Sequence, residues 1–295
     1  MLVSFISFAG RVLSMTQIRT RIVRIAVLSL SLTTLCLVSC GTREDQVGKP
    51  PKGVDPLVWL QQDSCYAEWD IFTHSYVRIL HPPDHPLKDH LDKHANGYIF
   101  ATGRIMEQLG LPPFPDTLNV VYFTGFGQGR EITGREYPFT ENGIVYYWQP
   151  GYPGMSLTDH LLTYWTDKKP THTFLRHGFR ALWDFGGRNY YTEMARKMDS
   201  GLVIDLIDLA VDTAMNSDTE RVQSGEAAAF VAYLLQVHGP DKLKELYESS
   251  GDFAADVERI YGLPVATLQR NWLAYIRMNL PPVGLPKDIA PDTGR

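Results

Sequence analysis

Residues 156–183 read SLTDHLLTYWTDKKPTHTFLRHGFRALW, and the rest of the chain arranges itself around them. The stretch divides into two short helices. Ser156 followed by Asp159 is a capping-box-like start, with the acid standing in for the usual Glu, and Thr171 can cap the second helix. His160 falls on the first helix and His177 on the second, a placement that suits a shared metal ion.

From here to the C-terminus the pattern is helical. Apolar periodicity predicts helices over 202–211, 224–238, 252–261 and 265–278, with Gly239 stopping the second of these. Toward the N-terminus the pattern changes. Residues 71–80 (IFTHSYVRIL) have the β-branched and aromatic character of a strand, ended by His81-Pro82-Pro83. Leu87, Leu91, Ala95, Tyr98, Thr102, Ile105 and Leu109 recur at helical spacing, and Gly110 with the prolines after it is a stop. LNVVYF (118–123) and GIVYYW (143–148) are two further strands. The glycine-rich segment 125–141 between them reads as a long loop, a flap or a hairpin. The expected fold class is therefore α+β, a small N-terminal strand/helix half feeding a C-terminal helical half, the two meeting near residue 150.

The ends of the chain lie outside this fold. Arg19, Arg21 and Arg24 precede an apolar run over 25–38, which is shorter than the about 20 residues of a spanning helix and has the layout of a signal peptide over 1–39. Met15, just ahead of the arginines, is the expected true start, with 1–14 an over-extension. Leu37-Val38-Ser39-Cys40 resembles the lipobox of bacterial lipoproteins, which implies acylation of Cys40 and anchorage in the cell envelope. Gly41 after the cysteine favours the outer membrane, facing the periplasm, over the inner one. Residues 40–55 are expected to be a flexible tether, 56–280 the domain, and 281–295 an irregular tail rich in Pro, Gly and Asp. With Cys36 removed and Cys40 acylated, Cys65 is the remaining cysteine, so no intramolecular disulfide is expected and the core should carry stability. A formal net charge of -5 without any Lys/Arg block argues against nucleic acid as a partner.

Four segments carry a family likeness: Phe174-Leu175-Arg176-His177-Gly178-Phe179, EAAAFVAYLLQVHGP (226–240), residues 243–247, and VERIYGLPVATLQRNW (257–272). Together they resemble the peptidase MA-like zinc metallopeptidases, the gluzincins, over roughly residues 70–278. The resemblance implies a few strands, a helix carrying His-Glu-x-x-His, a second helix with Trp-Leu-x-Glu-Gly-x-Ala whose Glu is the third zinc ligand, and a helical tail. Two His at i and i+4 share one helix face and take one Zn²⁺, while the Glu between them acts as general base for the bound water. Here His177 stands in the place of the glutamate ligand and Arg180 in that of the Ala. On the first helix, the register beginning at His160 puts Leu161 at the base and Tyr164 at the second ligand. Sliding by one puts Asp159 first, His160 at the base and Thr163 second. Neither register supplies a zinc pair with a base. The resemblance therefore implies a degenerate, catalytically silent domain that binds or scaffolds, and no cofactor is expected.

Other readings of the same residues stay open. His160, His172 and His177, with Asp159, can in principle converge on zinc and serve a metal-dependent peptidase with a rearranged site. Equally, His160 and Tyr164 can be polar groups hydrogen-bonded at a helix interface, with His177 packed against them. His90 and His94, at i and i+4 beside Asp89, can capture a transition metal in the envelope, or flank the Leu87/Leu91/Ala95 stripe as solvated residues. Tyr146, Tyr147, Trp148, Tyr152 and Trp165 surround the expected cleft, where strand 143–148 would align an extended peptide by β-augmentation unless these aromatics are core. The implied partners are the membrane, through Cys40, and a peptide or envelope protein.

Overall fold

The computed structural model describes residues 49–135, 137–148, 154–211 and 217–279. Cys40, the signal segment 1–39, Tyr152, the expected junction near 150 and the tail 281–295 lie outside them. Among the described residues the first element is the short helix α1 (Pro56–Leu60), capped by Asp55. Its Oδ1 accepts the N–H of Leu57 at 3.0 Å and of Val58 at 3.1 Å, and Pro56 occupies a first-turn position where a missing N–H costs nothing. The other carboxylate oxygen meets the Arg78 guanidinium. Asp55 thus belongs to the domain rather than to the tether expected over 40–55.

A five-stranded mixed sheet follows, built from β1 (Asp70–His74), β2 (Val77–His81), β3 (Leu118–Tyr122), β4 (Phe139–Glu141) and β5 (Ile144–Tyr147), in the order β1-β2-β3-β5-β4. The run 71–80, expected as one strand, is a hairpin. Ser75 takes φ 53 and reverses the chain, so that Ile71 faces Leu80 and Phe72 faces Ile79 across an antiparallel pair. Helix α2 (Leu91–Gln108) makes the crossover from β2 to the parallel strand β3, and a 3₁₀ turn (Lys88–His90) precedes it. Its buried side chains, Leu91, Ala95, Tyr98, Thr102 and Ile105 among them, follow the predicted stripe. Residues 125–141, expected as loop, contain helix α3 (Phe126–Thr133) and β4. Asn142 and Gly143, at φ 52 and 79, then supply the left-handed pair that a two-residue β-hairpin of the primed type requires.

Because strand side chains alternate, the sheet presents two faces, and both are covered. Val77, Ile79, Val120, Tyr122, Val145 and Tyr147 join the main core beneath α2 and the helical half. On the other face Leu80, Val121, Phe123, Ile144, Tyr146 and Trp148 pack against Leu57, Leu60, Tyr66 and Trp69 from the segment before the sheet. Each such large apolar side chain, fully buried, is worth about 1.5–3 kcal/mol.

The C-terminal half is helical, as expected, but its boundaries differ. Helices α4 (Met155–Trp165) and α5 (Thr173–Leu182) are the predicted central pair. Neither predicted cap forms: Ser156 lies inside α4, which Gly154 precedes, and His172 rather than Thr171 precedes α5 without a side-chain capping bond. Ser156 is buried, and its carbonyl accepts the Thr140 hydroxyl at 2.6 Å, which ties α4 to β4. Helix α6 (Tyr190–Ser200) was not expected, and the segment 202–211 is helical only from Leu206, as α7 (Leu206–Val211). The segment 224–238 belongs to a longer α8 (Ser217–Tyr233) that ends in a π-helical turn (Leu234–His238). Three helices close the fold, α9 (Pro240–Glu248), α10 (Phe253–Tyr261) and α11 (Val265–Met278).

The close approach of α5 and α8 depends on Gly178, where an added Cβ would stand 2.6 Å from the Ala227 carbonyl oxygen. Ala227, Ala228, Ala229 and Phe230 are wholly buried, so this turn of α8 is enclosed around its circumference. Among the described residues no helix is long and apolar enough to cross a membrane.

Candidate functional site

Where α4 meets α5, the facing side chains form an ion-pair cluster. Asp159 on α4, with a side chain 10% exposed, receives Arg176 Nε on Oδ1 at 2.9 Å and Arg176 Nη2 on Oδ2 at 2.8 Å, while Arg180 Nε stands 3.6 Å from Oδ2. The two arginines are one helical turn apart, so both reach across from the same face of α5. Hydrogen bonding to Asp159 outweighs the downward push of burial and raises the Arg176 pKa. Tyr247 on α9 lies within electrostatic reach of both Arg176 and Asp159.

His160 points elsewhere. Its ring, 5% exposed, packs edge-on to Phe114 at 6.0 Å and to Tyr164 at 5.5 Å, and Nε2 has no hydrogen-bond partner. Burial pushes its pKa down to about 4, with Asp116 opposing only in part, so the ring is neutral at physiological pH. The Tyr164 hydroxyl donates to Asp116 Oδ2 at 2.8 Å; burial and that neighbouring carboxylate both push the phenol pKa up. Leu161 is wholly buried. His172 faces α10, with Nε2 3.9 Å from Asp256 Oδ2 and its ring against Phe253, and His177 is half-buried on α5.

This donor set does not fit zinc. A metal at the α4–α5 contact would need anionic or neutral ligands with open lone pairs, yet the one carboxylate there is already held by two guanidinium groups, whose charge would repel a cation. Among the described residues no group of three His, Cys, Asp or Glu could hold a metal ion. The rearranged set of His160, His172 and His177 is therefore not assembled. The cluster can anchor the two helices and present a cationic edge, since Arg176 is 47% exposed, but it offers no general base beside an activated water.

The pair His90/His94 also differs from expectation. His90 ends the 3₁₀ turn with φ -130 and is exposed, so it precedes the α-helix instead of sharing its face with His94. His94 packs edge-on against Tyr122 at 5.8 Å, and burial lowers its pKa. Nearby His85 is fully engaged: Nδ1 accepts the Leu87 N–H at 3.1 Å and Nε2 donates to the Phe123 carbonyl at 3.3 Å, which fixes a neutral tautomer.

Nor do the aromatics line a cleft. Tyr146, Tyr147, Trp148 and Trp165 are all buried, the first and third in the smaller core and the others in the larger. Strand β5 is flanked by β3 and β4 and so has no edge to offer a peptide; the edge on that side of the sheet is the short β4. Asp116, Arg176 and Tyr247 were not anticipated. Only the i, i+4 spacing of Arg176 and Arg180 was a visible signal, since Asp116 sits in a proline-rich loop without pattern. No protein-family model matches the chain, and no curated protein does.

Proposed function

We propose that this protein is a lipid-anchored module of the bacterial cell envelope, built on a gluzincin-like framework whose metal site has been replaced by an ion-pair cluster. It acts by binding a peptide or envelope protein, not by hydrolysis. The order of elements supports the framework reading: strands with one long helix, a short edge strand, two central helices, then a helical tail. Leu37-Val38-Ser39-Cys40 supports the anchor. The observation that carries the loss of catalysis is Asp159 clamped between Arg176 and Arg180, at the helix contact where metal ligands would be needed. With Asp159 held by two guanidinium groups, this contact offers neither a free carboxylate base nor an open ligand, the two parts with which a zinc peptidase activates water. Binding falls instead to the β4 side, where Thr140 ties the edge strand to α4 and where Tyr137, just ahead of β4, and Met155, beside Ser156, are exposed.

Metal analysis of the purified protein, combined with a peptide-library digest with and without chelator, tests this directly. The expected result is substoichiometric zinc and no chelator-sensitive cleavage; stoichiometric zinc with such cleavage would refute it. Labelling with radioactive palmitate tests the anchor, and Cys40→Ser is expected to abolish incorporation.

A further inference from the structure

A cavity of about 370 Å³ opens between α2, the end of α5 and the end of α8, and it shares no residue with the α4–α5 cluster. That volume lies in the lower part of the range for small-molecule sites, about 300–1,000 Å³. Phe100, Trp183 and Phe185 give it an aromatic wall. Phe100 is 58% exposed and meets Phe185 edge-on at 6.4 Å. Two departures from regular backbone converge here. Phe185 holds φ 54, a left-handed conformation that is costly for a bulky residue and persists only where its surroundings fix it. The π-helical turn at Leu234–His238 contributes Leu235 and Gln236, and such turns re-aim side chains within an otherwise regular helix.

Among the polar side chains of this lining, donors predominate. Trp183 Nε1–H donates to the side-chain oxygen of Gln108, and the hydroxyls of Tyr191 and Tyr275 donate to that of Gln236. Both carboxamide oxygens thereby accept hydrogen bonds, and the NH₂ groups of Gln108 and Gln236 are the donors these two lining residues retain. Arg104 adds a guanidinium whose partner, Glu107, is an exposed carboxylate outside the cavity, and no carboxylate is among the lining residues. An occupant that brings acceptors and, beside Arg104, negative charge complements this lining.

We propose that this cavity binds a small aromatic carboxylate, its ring against Phe100, Trp183 and Phe185 and its carboxylate on Arg104 and the amides of Gln108 and Gln236. Calorimetric titration of the purified protein with 2-naphthoate, and with the neutral 2-naphthamide, tests it. Naphthoate is expected to bind one to one, at least about tenfold more tightly than the amide. Arg104→Gln should remove that preference and leave amide binding unchanged, while Phe100→Ala should weaken both ligands. Both side chains are exposed on α2, so neither variant disturbs the core. Absence of saturable naphthoate binding by the wild type, or equal naphthoate affinity in Arg104→Gln, would overturn the proposal. So would self-association of the chain that Phe100→Ala abolishes without any naphthoate binding. None of these outcomes depends on whether the α4–α5 cluster is catalytic.

Discussion

Replacing His160 with leucine should make the fold less sensitive to acid, by an amount set by where the ring sits. In the folded protein the imidazole titrates at about 4, against 6.5 for an exposed histidine, because burial beside Phe114 and Tyr164 disfavours the charged form. Protonating it in the fold therefore costs about 3 kcal/mol more than in the unfolded chain. The sign follows from linkage. Above pH 6.5 neither state carries the proton and the contribution is intact; as pH falls between 6.5 and about 4 the unfolded chain takes up the proton first, and stability declines; below that window both are protonated and the loss stops growing. At about pH 5 the loss attributable to this residue is about 2 kcal/mol. Urea unfolding at about pH 7.5 and pH 5, on wild type and His160→Leu, isolates the term. His85, His94, His172 and His238 are also held low by burial, but they act in both proteins and cancel in the comparison. The wild type should lose about 2 kcal/mol more than the variant. Parallel losses would mean that the ring is not buried neutral, and the placement of α4 against the 111–116 loop would be wrong.

Gly178→Ala puts a methyl group 2.6 Å from the Ala227 carbonyl and should destabilise by about 1–3 kcal/mol, read as a lowered Tm; an unchanged Tm would show that α5 and α8 are not in close contact. Asp159→Asn keeps the shape of the α4–α5 contact and removes its charge. Since Arg176 remains half-exposed, the expected cost is only about 1–2 kcal/mol in urea unfolding, with no zinc binding gained. Asp55→Ala removes both the cap of α1 and the partner of Arg78 and should cost about 1–2 kcal/mol; a neutral outcome would place Asp55 in the tether after all.

The parts of the fold that were legible are those where periodicity and packing coincide. The stripe from Leu91 to Ile105, the apolar strands around Val120 and Val145, and the two last helices are readable because each buries the side chains its spacing marks. Helix α6 was not legible because its buried residues are only Tyr190 and Met194, too sparse a pattern to stand out. Helix α3 was hidden by the glycines in Phe126–Thr133, which read as loop. The Asn142-Gly143 hairpin, by contrast, carries its signal in the sequence, since that dipeptide suits the left-handed pair of a two-residue turn. In the candidate site, the residue types at 159–164 and 176–180 could be read from the sequence, whereas the ion-pair cluster they form could not. That Asp159 turns to Arg176 while its neighbour His160 turns to Phe114 depends on how two helices are rotated about each other, which no local spacing records. The aromatic residues Tyr146 and Trp148 looked like cleft walls for a related reason. Their face of the sheet is covered by residues 55–69, a segment whose short helix and turns carry no periodicity.

That same cover determines how the domain would bear traction on its N-terminal side. A pull transmitted through the residues before Asp55 enters the fold at the cap of α1 and at Arg78, in the interior strand β2. Leu57, Leu60, Tyr66 and Trp69 can then detach in sequence, each yielding separately, whereas the hydrogen bonds of β2 with β1 and β3 must give way together. Under load the segment is expected to peel before the sheet shears, which would bare Val121, Ile144 and Tyr146 while the opposite face stays covered by α2 and the helical half. The fold is thus mechanically asymmetric: tension applied ahead of Asp55 would convert one closed face of the sheet into an apolar surface and leave the rest of the domain folded.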